Sequence, residues 1–119
     1  MQIDIQALNF SLTDALRRYT ERRLDFALST RDDYIQRVAV RLSDINGPRG
    51  GADKCCRIQV VLAHLADVVI DDTETNLYAA IDRATDRAGR TVGRRLARLR
   101  DKNRSHSLTD MKLKTAHMA

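Results

Sequence analysis

The sequence predicts an α+β domain of order β-α-β-β-β-α, in which one four-stranded sheet carries two helices on one face. Apolar and polar residues alternate in four short segments, a pattern typical of half-buried strands. Two longer segments repeat apolar residues at helical spacing. A length of 119 residues with 43% hydrophobic content is that of one domain with one core.

The first strand and the first helix are predicted within the first 28 residues. Ile3 and Ile5 alternate with polar neighbours, which indicates a short strand. Ser11 is the candidate N-cap of a helix that runs from about Leu12 to Leu28. The apolar residues that recur at helical spacing are Leu12, Ala15, Leu16, Tyr19, Phe26 and Ala27.

Three further strands follow, separated by two turns. Residues 46–51, Asn-Gly-Pro-Arg-Gly-Gly, combine the strongest turn formers and predict a hairpin loop. Residues 63–67 are the expected second turn. The inward-facing positions are Val38, Val40 and Leu42 on the second strand, Cys56, Ile58, Val60 and Leu62 on the third, and Val68 and Ile70 on the fourth.

The second helix is expected to start after one of two candidate N-caps, Thr73 or Thr75. Its apolar face consists of Leu77, Ala80, Ile81, Ala84, Ala88, Val92, Leu96 and Leu99. Beyond this face no apolar period is sustained. We therefore expect a folded domain over residues 1–102 and a flexible C-terminal tail over residues 103–119.

The cysteines and histidines argue against a disulfide and a metal site. Cys55 and Cys56 are adjacent on a predicted strand, so their side chains point to opposite faces, with Cys56 inward and Cys55 toward solvent. The three histidines are isolated, and the chain has no Cys-x-x-Cys motif. We expect two reduced cysteines and no bound metal.

The sequence also lacks the motifs of common enzymes. It has no Gly-rich phosphate loop and no nucleophile in reach of a predicted base. The acidic group Asp71, Asp72 and Glu74 is expected to flank the start of the second helix, where negative charge is favourable. We expect no catalytic residue, no cofactor and no small-molecule substrate. With no membrane-length apolar stretch and no secretory signal, we expect a cytoplasmic protein without membrane contact.

The charge of the chain points to nucleic acid. Its 21 Lys+Arg outnumber 16 Asp+Glu, and 17 of these cations are arginine, which matches phosphate geometry. Five arginines of the second helix fall within about 80° of one another and span about 22 Å. This arginine ridge comprises Arg83, Arg87, Arg90, Arg94 and Arg98. The alternative is a merely solvated face that Asp82 and Asp86 partly neutralise.

The first helix adds basic residues that are mixed with acidic ones. Arg18 and Arg22 are possible further contacts to RNA. Arg23 projects near the middle of the apolar face, where a charge is costly unless its head reaches the rim. Pairing with a local carboxylate and contact with a ligand are equally compatible with this position.

Three segments resemble the ribosome hibernation-promoting factor and ribosome-associated inhibitor family, in its short, sigma-54 modulation protein-like form. They are Ser-Leu-Thr-Asp-Ala-Leu-Arg-Arg-Tyr at 11–19 followed by Arg23-Leu24, Glu-Thr-Asn-Leu-Tyr-Ala-Ala-Ile-Asp at 74–82, and the basic residues Arg87, Arg90 and Arg94. The resemblance covers about residues 1 to 102. It implies the same β-α-β-β-β-α fold.

The resemblance also implies a function. Members bind the small ribosomal subunit, on 16S-type ribosomal RNA, in the channel that messenger and transfer RNA use. They inhibit translation by occlusion, as part of ribosome hibernation under stress and in stationary phase. By position, the contacts fall to Arg23, Arg87, Arg90 and Arg94, and the ridge geometry adds Arg83 and Arg98. We expect a monomer when the protein is off the ribosome.

Three features depart from the family pattern. The loop at 46–54 is longer and richer in glycine than the family's usual turn. Gly89 and Gly93 lie inside the second helix, where each costs up to about 1 kcal/mol; they either let RNA approach closely or soften the helix. The residues present do not include the dimerisation domain of the long form, so the sequence gives no indication that this chain pairs ribosomes by itself.

Two other function classes remain open from the sequence. A double-stranded RNA-binding module has the closely similar order α-β-β-β-α, and it would bind a free duplex as tightly as a ribosome. A protein-interaction adaptor would instead present the outer face of the sheet, with Arg37, Arg41, Arg57 and Gln59, to an acidic partner. Binding that survives nuclease treatment would favour the adaptor.

Overall fold

The computed structural model describes the backbone of residues 1–44 and 53–118 and the side chains of residues 1–44 and 53–102. The predicted order of strands and helices is confirmed. The elements are β1 (Gln2–Leu8), α1 (Asp14–Leu28), a 3₁₀ helix (Ser29–Tyr34), β2 (Ile35–Asp44), β3 (Lys54–Leu62), β4 (Val68–Glu74) and α2 (Leu77–Met118). The hairpin loop predicted at 46–51 lies outside the described residues.

The four strands form one mixed sheet in the order β1-β2-β3-β4. β1 runs parallel to β2, which the intervening α1 makes possible, and the other neighbours are antiparallel. Val40 pairs with Ile5 on one side and with Ile58 on the other. Because side chains alternate along each strand, this register gathers the apolar residues on one face. All of the predicted inward positions of β2, β3 and β4 are buried, so that prediction is confirmed.

Both helices cover this apolar face. Leu24 and Leu28 of α1 and Ile81 and Val92 of α2 are fully buried in the same core cluster as the strand residues. Shortening a fully buried leucine such as Leu24 to alanine typically costs about 2 to 5 kcal/mol. The core therefore fixes the orientation of the two helices against each other and against the sheet.

Helix α1 starts two residues later than the sequence suggested. The N-cap is Thr13 and not Ser11: the backbone of Thr13 is extended, and its hydroxyl oxygen accepts a hydrogen bond from the Leu16 amide at 3.2 Å. Asp14 then supplies a negative charge in the first turn, where the helix dipole favours it.

Helix α2 also starts later than predicted. The Asn76 side-chain oxygen accepts a hydrogen bond from the Tyr78 amide at 2.8 Å, so Asn76 takes the place expected for Thr73 or Thr75. Strand β4 continues through Glu74, which pairs with Lys54 on β3. The longer strand therefore displaces the start of the helix.

Helix α2 extends well beyond the predicted apolar face, which ended at Leu99, since its backbone remains helical to Met118. The segment after Gly93 contains neither glycine nor proline, and its leucine, lysine, arginine and methionine residues are good helix formers. The division into a domain over 1–102 and a flexible tail over 103–119 stays a prediction.

The two glycines inside α2 make room for neighbouring parts of the chain. A Cβ atom added at Gly89 would lie 3.0 Å from the Ala27 carbonyl oxygen of α1. One added at Gly93 would lie 2.7 Å from the Arg31 Nη2 atom. Packing of α2 against α1 thus accounts for glycine at position 89 without an RNA contact, whereas at position 93 only the flexible end of the Arg31 side chain is in the way.

Candidate nucleic-acid interface

The arginine ridge lies on the solvent-exposed side of α2, and its first part runs beside strand β4. All five of its side chains are exposed, as the helical spacing predicts. The opposite side of the same helix supplies buried residues to the core, including Ile81, Ala84 and Ala88. The core thus holds the ridge toward solvent.

Three of the five ridge arginines already have carboxylate partners. Arg83 pairs with Glu74, and Arg90 Nη2 lies 3.2 Å from Asp86 Oδ2, one helical turn away. Arg87 Nη1 lies 2.9 Å from Asp72 Oδ2, although that oxygen accepts no aligned hydrogen bond. These pairs neutralise part of the ridge, as the solvated-face alternative requires.

The acidic residues before α2 therefore pair with arginines instead of stabilising the helix dipole, as had been predicted. Asp71, Asp72 and Glu74 belong to β4 and do not flank the start of the helix. Asp72 and Glu74 pair with the ridge, and the Asp71 carbonyl oxygen accepts a hydrogen bond from Arg87 at 3.1 Å. They orient Arg83 and Arg87 along the edge of the sheet.

The last two ridge arginines have no carboxylate partner among the described side chains. Arg94 donates a hydrogen bond only to the Thr91 hydroxyl, at 3.3 Å, and Arg98 is exposed. On α1, Arg18 donates to the Asp14 carbonyl oxygen at 3.4 Å, and Arg22 is exposed. These four cations have no carboxylate partner among the described side chains and are therefore available to a polyanion.

Arg23 pairs with a carboxylate on the other helix rather than with a local one. Its Nε atom lies 3.1 Å from Asp82 Oδ1, without an aligned hydrogen bond, and its side chain is 35% exposed. The Tyr19 hydroxyl donates to the same oxygen at 2.5 Å. That hydrogen bond, together with partial burial and the negative charge of Asp82, raises the pKa of Tyr19.

The ring of Tyr19 also meets Tyr78 edge to face, with centroids 4.8 Å apart. Aromatic pairs in this arrangement contribute about 0.5 to 1.5 kcal/mol beyond the area they bury. Tyr19, Arg23, Asp82 and Tyr78 therefore form one polar and aromatic link between α1 and α2. This link sets the position of Arg23 relative to the ridge.

Sequence reasoning misplaced two residues of α1, because Ala15 and Phe26 are both exposed. Phe26 was expected on the apolar face of the first helix, but its side chain is 82% exposed. The buried residues of α1 are Leu16, Thr20, Leu24 and Leu28, which recur every fourth position. Phe26 lies about 200° around the helix from Leu24. A stricter use of that spacing would have placed Phe26 on the surface.

The outer face of the sheet carries a second group of arginines, as predicted. Arg37, Arg41 and Arg57 are exposed there and line a shallow cavity of about 360 Å³. Arg41 lies directly opposite Arg57 in the β2–β3 register, and Arg57 Nη1 is 3.9 Å from Asp71 Oδ2. This face is polar and its charge is also partly neutralised, since Asp4 lines the cavity beside the three arginines.

Two absences concern only the part of the chain that the structure describes. No group of three or more His, Cys, Asp or Glu side chains there could hold a metal ion. None of its helices has an apolar stretch long enough to span a membrane.

Comparison with known proteins agrees with the fold. Residues 3–100 match the family described as "Sigma 54 modulation protein / S30EA ribosomal protein". The N-terminal domain of Protein Y from Thermus thermophilus is 33% identical, with a TM-score of 0.65 over 79% of this chain and 98% of that one.

A ribosomal subunit interface protein from Coxiella burnetii shares the fold, with a TM-score of 0.69 and 18% identity over 82% of this chain and 99% of that one. Comparison with curated proteins gives no significant match. Because the family match covers nearly the whole described domain, the chain belongs to the Sigma 54 modulation protein / S30EA ribosomal protein family.

Proposed function

We propose that this protein binds the small ribosomal subunit in the cytoplasm and inhibits translation by occupying the channel for messenger and transfer RNA. The observation that carries the proposal is the arginine ridge, five exposed arginines on one side of α2 in a member of a ribosomal protein family. The names of its relatives, a ribosomal subunit interface protein among them, support a ribosomal partner.

The ridge suits a phosphate backbone in length and charge. It spans about 22 Å, enough to follow several successive phosphates. Arg94 and Arg98, which lack a described carboxylate partner, would bind phosphates directly. Exposed ion pairs contribute only about 0 to 1 kcal/mol, so Arg83 and Arg90 can exchange their carboxylates for phosphates at little cost.

The first helix would add a second row of contacts. Arg18 and Arg22 are exposed without a described carboxylate partner, and Arg23 lies between them and α2. In this proposal the contacts to 16S-type ribosomal RNA are made by Arg23 and the ridge, with Arg18 and Arg22 in support. The mechanism is steric exclusion, which needs no cofactor, and the protein acts as a hibernation factor that is monomeric off the ribosome.

The test is a charge reversal that spares the fold. Arg94→Glu with Arg98→Glu changes two exposed arginines that have no described carboxylate partner. The matched control is Arg37→Glu with Arg41→Glu, which makes the same charge change on the outer face of the sheet. Arg87 is left intact, because a glutamate there would face Asp72, whose side chain is only 10% exposed.

Binding to purified small subunits and inhibition of cell-free translation are then measured for both pairs. The ridge pair should lose both activities and the control pair should keep most of each, with equal melting temperatures. A folded ridge variant that still inhibits translation at the wild-type concentration would contradict the proposal. Loss of activity only in the control pair would favour the adaptor on the outer face, and equal affinity for a free RNA duplex would favour a double-stranded RNA-binding module.

A further inference from the structure

An exposed phenylalanine lies at the mouth of a cavity between the two helices. Phe26 of α1 is 82% exposed, the highest value among the large apolar side chains that the structure describes as exposed. The cavity beside it has a volume of about 260 Å³. This is slightly below the roughly 300 Å³ at which pockets for drug-sized ligands begin, so the cavity is a small one. It is lined by Arg23, Phe26, Ala27, Arg31, Asp86, Gly89 and Arg90.

The cavity is basic and adjoins the arginine ridge. Three arginines line it, Arg23, Arg31 and Arg90, against one acidic residue, Asp86. Arg90 belongs to the ridge and pairs with Asp86 at 3.2 Å. Arg31 donates to the Thr30 hydroxyl at 3.0 Å and has no carboxylate partner among the described side chains. An anionic chain that follows the ridge would therefore pass the ring of Phe26.

The fold does not account for the aromatic ring at this position. With most of its surface in water, the ring adds little to the core, and phenylalanine is a weaker helix former than the neighbouring Arg22 and Arg23. A single exposed apolar side chain is ordinary on a protein surface. A phenylalanine beside a cavity with three arginines is more specific, because aromatic rings and basic groups together bind unpaired nucleotides.

We propose that Phe26 stacks on one unpaired base of ribosomal RNA while Arg23, Arg31 and Arg90 neutralise the flanking phosphates. The inference rests on the proposed function, since it assumes that the ridge lies on RNA. It adds the kind of RNA that is bound: a single-stranded loop or bulge with an accessible base, rather than a regular duplex.

The test is a series of substitutions at Phe26, with affinity for purified small subunits as the readout. Phe26→Ala should weaken binding by about 5- to 150-fold, the range that alanine substitution of a stacking residue produces. Phe26→Leu keeps an apolar side chain without a flat ring and should weaken binding to a similar extent. Phe26→Trp and Phe26→Tyr keep a ring and should stay within about threefold of the wild type. The matched control is Tyr34→Leu, at an aromatic residue that is 52% exposed outside the cavity.

Ultraviolet cross-linking identifies what the ring touches. A peptide that contains Phe26 should carry a nucleotide after irradiation of the complex, and the mass of the nucleotide names the base. Wild-type affinity for Phe26→Leu, or a cross-link to a ribosomal protein or to a second copy of the chain, would overturn the stacking proposal. If the wild-type protein itself does not bind small subunits, the proposed function fails instead, so the two failures are distinguishable.

Discussion

Replacing Arg94 and Arg98 with alanine should lower the salt dependence of ribosome binding by a defined amount. Each cation that neutralises a phosphate releases counterions and contributes about 0.7 to 0.9 to the slope of log affinity against log salt. A ridge in which all five arginines bind phosphate gives a slope near −3.5 to −4.5 on this basis. Loss of two contacts should reduce its magnitude by about 1.4 to 1.8.

The structure makes this pair the cleanest choice on the ridge. Arg83, Arg87 and Arg90 have carboxylate partners, so their replacement also leaves Glu74, Asp72 or Asp86 without a cation. Arg94 and Arg98 have no such partner among the described side chains, and both are exposed. Surface changes of this kind alter stability by no more than about 0.5 kcal/mol.

The assay is a titration of labelled protein with purified small subunits at several salt concentrations, from roughly 50 to 200 mM. The affinities of the variant and the wild type for small subunits should differ most at low salt and converge at high salt. An Arg37→Ala, Arg41→Ala variant should follow the wild-type slope, because those residues lie on the other side of the sheet. Parallel lines for the wild type and the Arg94→Ala, Arg98→Ala variant would refute the reasoning.

Three further predictions concern the fold around the site. Burial raises the pKa of the Cys56 thiol from 9.0 to about 12, so a thiol reagent should label only Cys55 in the native protein and both cysteines in denaturant. The same pKa shift should make the free energy of unfolding fall as the pH rises from about 9 toward 12, because the thiol ionises at lower pH in the unfolded chain than in the folded one. This part of the pH dependence should be absent from a Cys56→Ala variant. Gly89→Ala should lower the melting temperature, because the new Cβ would lie 3.0 Å from a backbone oxygen. Gly93→Ala should leave the melting temperature unchanged or raise it, because the new Cβ would meet only the end of an arginine side chain and alanine is the better helix former. The reverse order of melting temperatures would contradict the packing described. Asp82→Asn should destabilise the protein by about 1 kcal/mol, because the variant loses the carboxylate that pairs with Arg23. It should not weaken ribosome binding, because Arg23 becomes free to bind phosphate. Weaker binding by the folded variant would refute this prediction.

The sheet was predictable because period-2 alternation is a local property of the sequence. Alternate positions along a strand face the same side of the sheet, and the apolar residues at these positions mark the buried face. The structure confirms each of them, including Val38, Val40, Ile58 and Val60. The exposed side of α2 was predictable for the same reason, since helical spacing alone places the ridge opposite the core.

The boundaries of the helices were less predictable because several residues near each start can serve as a cap. Ser11 and Thr13 are both good N-caps, and only the path of the chain after β1 selects Thr13. Likewise, pairing with β3 extends β4 to Glu74, and this long-range contact moves the start of α2 past Thr73 and Thr75. The continuation of α2 beyond Leu99 follows from helix propensity where the apolar period is lost.

The partners of the arginines could not be read from the sequence, because they join elements that are distant along the chain. Arg23 meets Asp82 across the two helices, and Arg87 meets Asp72 across the boundary between helix and sheet. These pairs distinguish cations that are already neutralised from those that are available. The five ridge arginines, which look equivalent in the sequence, therefore differ in how available they are to a binding partner.

The central claim is that this chain binds the small ribosomal subunit through the arginine ridge. Sucrose-gradient sedimentation of the full chain with purified, dissociated ribosomal subunits tests it most directly, with the chain detected in every fraction. We expect the wild type to sediment with the small subunit at low salt, and the Arg94→Glu, Arg98→Glu variant to stay at the top of the gradient. A wild-type chain that remains at the top, or a ridge variant that sediments with the small subunit as the wild type does, would contradict the claim.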